Sequence, residues 1–292
     1  MSTGAIPAHG PSAFGGGLRR FVELTLTLAQ TDFKLRYFGS ILGYFWSLMR
    51  PLMFFGVIYV VFAKILHIGQ GVPGYGVYLL TSIVLWTYFS DATGQCVQCL
   101  VQREGLIRKI RFPRMVVPLA TSLTSVFNLA MNFIAVLVFA LISGVTPRLS
   151  WLELIPIVLA LIMLATGVGM LLAALYVRFR DVQPIWEVAT LILFYSSPIM
   201  YVASKYKGLE HVALLNPIAL LLTQAGHAFV HPEPVRTVLA SGQVVHEQAM
   251  RSAWVASGGA AHFFVSLALI PAIFALGWWF FAREAPRVAE NL

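Results

Sequence analysis

The sequence predicts an all-α integral membrane protein with six transmembrane helices, and three observations carry that prediction. Of 292 residues, 59% are hydrophobic and only 11% charged, with a mean hydropathy of +0.80. A soluble domain carries about a quarter charged residues, and so little charge would leave large apolar patches facing water. Second, six segments near 44–66, 75–93, 115–143, 152–177, 185–203 and 260–282 are apolar over the roughly 20 residues that a helix needs to cross about 30 Å of hydrocarbon. Third, the basic residues are unevenly shared. With both termini cytoplasmic, 13 Lys and Arg fall inside and six outside, Arg50 lying within the first span. That is the bias expected of cytoplasmic loops.

The same bias accounts for the net charge of +8. There is no Lys/Arg-rich arm and no basic surface interleaved with aromatics, so nucleic acid is not an expected partner.

Taken in order, residues 1–17 (MSTGAIPAHGPSAFGGG) are small, polar and glycine-rich with no apolar run, and read as a disordered cytoplasmic tail rather than a signal peptide. Residues 18–43 place Leu18, Phe21, Leu24, Leu28, Leu35 and Phe38 at roughly helical spacing among charges, with Leu26 and Phe33 blurring the stripe. This predicts an amphipathic helix lying at the cytoplasmic face of the membrane. The six-span unit, 44–282, follows, and 283–292 form a second cytoplasmic tail. In the fourth span, Ala165, Gly169 and Ala173 recur every four residues, a small-residue face that lets a neighbouring helix approach closely.

Between spans five and six lie residues 204–258. Within them HVALLNPIALLLTQAGHAFV is apolar but broken at Asn216–Pro217, and each piece is too short to cross. Such backbone is tolerated at membrane depth only where protein or a watery cavity satisfies it, which predicts two short re-entrant helices in the outer leaflet.

Enzyme signatures are missing: no HExxH, no G-x-S-x-G and no G-x-x-x-x-G-K-[ST] occurs. Cys96 and Cys99, the only cysteines, form a CVQC without a second pair, which reads as two small residues on one helix face. His227 and His231 are spaced i, i+4 but run into Pro232, a poor metal site. No cofactor or metal is expected on this chain.

Two cytoplasmic segments stand out. In VQREGLIRKIRFP, residues 101–113, Glu104 precedes Arg108 by four, the favourable order for a helical ion pair. Leu106, Ile107 and Ile110 alternate with Arg108, Lys109 and Arg111, Phe112 follows, and Pro113 stops the helix. A positive-inside anchor needs only charge, whereas apolar knobs on a short helix suit insertion into a partner's groove. The corner 178–184 is tight. In a helical end Arg178 and Asp181 fall at i, i+3 and pair, leaving Arg180 for another contact, while Pro184 suits the first turn of the next helix. Aromatic residues crowd the spans. Tyr59, Tyr88 and Tyr195 either belong to interfacial belts or line a polar path, since rings stack on sugar faces and hydroxyls bond them.

YFGSILGYFWSLMRPLMFFGVIYVVFAKIL, IRKIRFPRMVVPL, LYVRFRDVQPIW, LFYSSPIMY and NPIALLL, taken in order from about residue 25 to 282, resemble the permease subunits of ABC exporters for bacterial cell-surface polysaccharides. The resemblance implies a homodimer in the bacterial plasma membrane, each copy docked on a separate ATPase subunit that holds ATP and Mg. It implies that 101–113 is the coupling helix and the RFRD corner a second contact. The amphipathic segment would be a gate helix where a polyprenyl pyrophosphate meets Lys34, Arg36 and Tyr37, and 204–258 would cap the exit. Arg50 either binds phosphate or snorkels. The expected cargo is a lipid-linked glycan such as O-antigen, teichoic acid or galactan. Alternatives are an ABC permease for a small drug or lipid, or a membrane glycosyl or acyl transferase using Asp91 or Asp181.

Overall fold

The computed structural model describes residues 17–37, 41–68, 72, 74–109, 113–202, 213–230, 234–238, 244–248 and 252–285. The expected tails, 1–17 and 283–292, therefore lie outside the described residues except at Gly17 and 283–285, as do parts of 204–258.

The described chain is helical except for one hairpin. In order come α1 (Leu18–Tyr37), α2 (Ile41–Tyr59, prolonged by a π-helical stretch Val60–Ile65), α3 (Tyr75–Gln102), α4 (Glu104–Lys109), α5 (Val116–Ile142) and α6 (Leu154–Arg178, preceded by a 3₁₀ turn, Leu149–Glu153). Then follow α7 (Val182–Ser196), α8 (Pro217–Phe229), strands β1 (Pro234–Val238) and β2 (Val244–Gln248), α9 (Ala253–Ala256) and α10 (Ala260–Glu284). The strands pair antiparallel, Pro234 opposite Gln248 and Val238 opposite Val244. This hairpin lies within 204–258, where the sequence suggested only short helices.

Among the described residues, Phe45–Ile65, Val116–Ile142, Leu149–Arg178 and Ala260–Ala285 are long and apolar enough to cross a membrane. The other two expected spans differ for physical reasons. α3 is long, but Thr81, Ser82, Thr87, Ser90, Asp91 and Thr93 dilute its hydropathy. It can carry them because it is the central pillar: 19 of its 28 residues are buried, and it packs against α2, α5, α6, α7 and α8. Helix α7 is only 15 residues long and buries none of them.

Small residues set the closest approaches. At the α6–α10 crossing, a Cβ on Gly277 would sit 2.0 Å from the Gly167 carbonyl oxygen, and one on Gly167 would sit 2.5 Å from the Phe274 Cα. Gly169, within the Ala165–Gly169–Ala173 stripe, lies against α3, where an added Cβ would meet the Cys96 sulfur at 2.9 Å. Both cysteines are buried thiols, so they are packing residues, as their spacing suggested.

Where α7 ends, the chain runs through Ser197–Tyr201 without regular structure, and its carbonyls need donors. Tyr75 Oη donates to Met200 O at 2.5 Å, and Tyr78 Oη donates to the carbonyls of Pro198 and, at 3.0 Å, Tyr201. The Asn216–Pro217 break begins α8: Asn216 Oδ1 accepts from the Ile218 N–H at 3.0 Å, with Pro at the first helical position. Asn216 Nδ2 reaches back to Ser197 Oγ at 3.1 Å, tying the two interruptions together.

Candidate functional site

Helix α1 docks along α5 by one stripe. Phe21 and Ala29 are buried, Thr124 Oγ1 donates to the Ala29 carbonyl at 3.3 Å, and Phe33 meets Phe127 edge-on at 5.5 Å. The blurring residue of the stripe is thus one of its anchors. Val22, Leu26 and Leu35 remain exposed beside the docked stripe.

Between α1, α3, α5 and α7 opens a cleft of about 670 Å³. Polar side chains line much of it, with Leu35, Val97 and Cys99 between them: Asp32 and Arg36 from α1; Gln95, Gln98 and Gln102 from α3, with Arg103 just after it; Thr121 and Thr124 from α5; Gln183, Trp186 and Glu187 from α7. Arg103 is the keystone. Its guanidinium donates to Asp32 Oδ2 and, from the other nitrogen, to Thr121 Oγ1 at 3.0 Å, the ion pair being about one-fifth exposed (21% and 22%). Arg36 Nη2 donates to Gln95 Oε1 at 2.5 Å. Across the gap runs a line of carboxamides: Gln102 donates to Gln98 (3.1 Å), Gln98 to Gln183, and Gln183 to Glu187 (3.1 Å). Trp186 is oriented by its indole N–H on Thr93 Oγ1 at 3.2 Å.

The docking segments are placed as follows. α4 holds Glu104, Leu106, Ile107 and the backbone of Arg108, whereas Ile110, Arg111 and Phe112 lie outside the described residues, as does the Arg108 side chain. Ile107 is 8% exposed and packs with Leu100, Met115 and Val116, and Pro113 is buried. These two fasten the segment to the bundle, leaving Leu106 half-buried.

At the corner the expected Arg178–Asp181 pair does not form. α6 ends at Arg178, and Phe179 is extended (φ −129°, ψ 106°), so the i, i+3 geometry of a helix is lost. Instead Arg178 lies over the Phe179 ring at 5.4 Å and Arg180 over Tyr176 at 5.1 Å, while Asp181 begins α7, its carbonyl accepting from Ile185 N–H at 3.2 Å. Arg178, Arg180 and Asp181 are all exposed.

The expected path residues do not converge. Lys34 and Arg36 are both exposed, yet two residues along a helix place them about 200° apart, and only Arg36 lines the cleft. Tyr37 ends α1, its side chain outside the described residues. Arg50 is exposed on α2 and, with Arg36, supplies the positive charge near Asp91. Tyr195 is 65% exposed and shares a second cleft with Asp91, Phe54 and Glu187. Tyr59 lines a third, of about 310 Å³, with Lys64, Tyr75 and Phe139. Tyr88 is 3% exposed, inside the core, and its hydroxyl has no partner among the described residues.

Asp32, Arg103 and the glutamines were not singled out from sequence. A signal was there: Gln95, Gln98 and Gln102 fall at i, i+3, i+7, one polar face at the C-terminal end of an apolar helix.

The fold and this site define a multi-pass membrane protein with a polar cleft beside an amphipathic helix. The ABC-2 type transporter family matches residues 23–225, most of the chain and the whole cleft, and the protein belongs to that family. A membrane subunit of an ABC transporter implies an ABC ATPase as partner. Similar proteins include an O-antigen export system permease protein RfbA of Klebsiella pneumoniae, 27% identical over 202 residues covering 68% of this chain and 77% of the relative. A second from the same organism is 25% identical over 211 residues, 72% and 81% of the two chains. The Myxococcus xanthus protein of that name is 28% identical over 211 residues, 70% and 80%.

Proposed function

We propose that this chain is the transmembrane subunit of an ATP-driven exporter that moves a polyprenyl-pyrophosphate-linked polysaccharide of the O-antigen type across the bacterial plasma membrane. The observation that carries the reading is the similarity to three O-antigen export permeases over about 70% of the chain.

In this reading six helices cross the membrane. α3 supplies the second crossing, its polar side chains being buried or lining clefts, and α7 with the Ser197–Tyr201 turn the fifth. α8, with 13 residues, is too short to cross and forms the re-entrant outer segment with α9. Both termini are cytoplasmic. Two copies pair through the outer face of α7, where exposed Ile185, Val188, Leu191, Ile192 and Tyr195 offer apolar surface to a partner. ATP and Mg bind a separate subunit.

That subunit docks on 101–113 and the 178–184 corner. Leu106, Arg108, Ile110, Arg111 and Phe112 contact it, with Glu104 bracing the helix and Ile107 and Pro113 holding it to the bundle. Arg178, Arg180 and Asp181 make the second contact, the two arginines oriented by their rings. Lys34, Tyr37 and Arg50 serve the anionic head of the lipid, and Tyr59 and Tyr195 the glycan path, Tyr88 being a core residue. Affinity purification of this chain with its cognate ATPase tests the reading. A stoichiometric complex is expected, with hydrolysis uncoupled from export in an Arg108→Ala/Arg111→Ala variant. Catalysis by the isolated chain would count for a transferase instead.

A further inference from the structure

Resting on the export reading, we propose that the cleft between α1, α3, α5 and α7 binds an uncharged, hydroxyl-rich group, a sugar unit of the lipid-linked glycan next to its lipid, and is not the seat of the diphosphate. The charges in the cleft balance, with Arg36 and Arg103 facing Asp32 and Glu187. Arg103 is already committed to Asp32 and Thr121. A diphosphate needs a surplus of cationic donors, and here two carboxylates would oppose it.

Sugar hydroxyls both donate and accept, and so do carboxamides, each of which has two donor hydrogens and a two-lone-pair oxygen. Gln98, Gln102 and Gln183 supply three of them in one line that ends on the Glu187 carboxylate. Each uses only part of its bonding capacity in that line, so a ligand can be taken up by exchanging or adding partners without leaving polar groups orphaned. Trp186 stands beside them with its indole fixed through Thr93, giving a firm aromatic edge to the cleft. The volume, about 670 Å³, is in the range of small-ligand sites. The cleft also adjoins an interfacial helix, where the group nearest a lipid anchor would stand.

The test uses the complex of this chain with its ATPase in lipid nanodiscs and two probes: a polyprenyl pyrophosphate carrying one N-acetylhexosamine, and the same lipid without sugar. The half-saturating concentration for ATPase stimulation is measured for each. In the wild type the sugar is expected to improve it about tenfold. Gln98→Ala and Gln98→Leu should abolish that gain while leaving the sugar-free lipid unchanged, which also certifies their fold. Equal response to the two lipids in the wild type, or a sugar gain that survives both substitutions, overturns the inference and leaves the export reading standing. No response to either lipid overturns both.

Discussion

Arg103, the single residue between α3 and α4, holds Asp32 of α1 through a partly buried ion pair while bonding Thr121 of α5. Helices α1 and α5 are thereby fixed to the same guanidinium. Removing either partner leaves a charge in a place where water reaches it poorly, a loss of about 1.5–3 kcal/mol. Arg103→Ala and Asp32→Ala should each lower the melting temperature of the purified protein, and the double variant should cost less than the two losses summed. Arg103→Lys should rescue little, because one ammonium cannot span both partners in the planar geometry that guanidinium allows.

The α6–α10 crossing depends on two glycines. Gly277→Ala places a Cβ 2.0 Å from a backbone oxygen, and Gly167→Ala places one 2.5 Å from the Phe274 Cα. Neither neighbour is a flexible side-chain end. Both variants should fail to yield folded protein by size-exclusion chromatography. Gly94→Ala, where an added Cβ meets nothing within 4 Å, should fold normally and gain slightly from alanine's helix propensity, by up to about 1 kcal/mol.

Two tyrosines of α3 should behave oppositely when the hydroxyl is removed. Tyr78→Phe strips the one O–H that the carbonyls of Pro198 and Tyr201 share, and stranding buried carbonyls costs about 1–3 kcal/mol. Tyr88→Phe removes a buried hydroxyl that has no partner among the described residues, so thermal stability should hold or rise. Export by the Tyr88→Phe strain should match the wild type, the ring lying in the core.

At the corner, Arg178→Ala removes a contact with the Phe179 ring, worth about 0.5–1 kcal/mol at an exposed site. It should barely move stability. Arg180→Ala with Asp181→Ala should keep the protein in the membrane but lower glycan export per ATP hydrolysed. Unchanged coupling would remove the corner from the docking surface.

Much of this arrangement was legible in the sequence. The amphipathic helix, the close-packing stripe at Gly169, the buried cysteines and the break at Asn216–Pro217 follow from local spacing and capping chemistry. The Arg178–Asp181 pair was misjudged because helix spacing was assumed across a residue, Phe179, that is extended. Central helix α3 looked like an ordinary span; its tolerance for Asp91 and the threonines comes from neighbours on five other helices, which no local window contains. The cleft was missed for the same reason. Asp32 and Arg103 are 71 residues apart, and Gln98 and Gln183 are 85 apart, so only the tertiary fold brings them together.

The most direct test of the account is transport itself. The chain and its ATPase subunit are reconstituted into proteoliposomes with a lipid-linked polysaccharide, and glycan reaching the far leaflet is counted with an impermeant lectin. The account predicts accumulation that requires ATP and is lost in the Arg108→Ala/Arg111→Ala variant. Glycan that stays in its leaflet while the same complex pumps small hydrophobic compounds would contradict it.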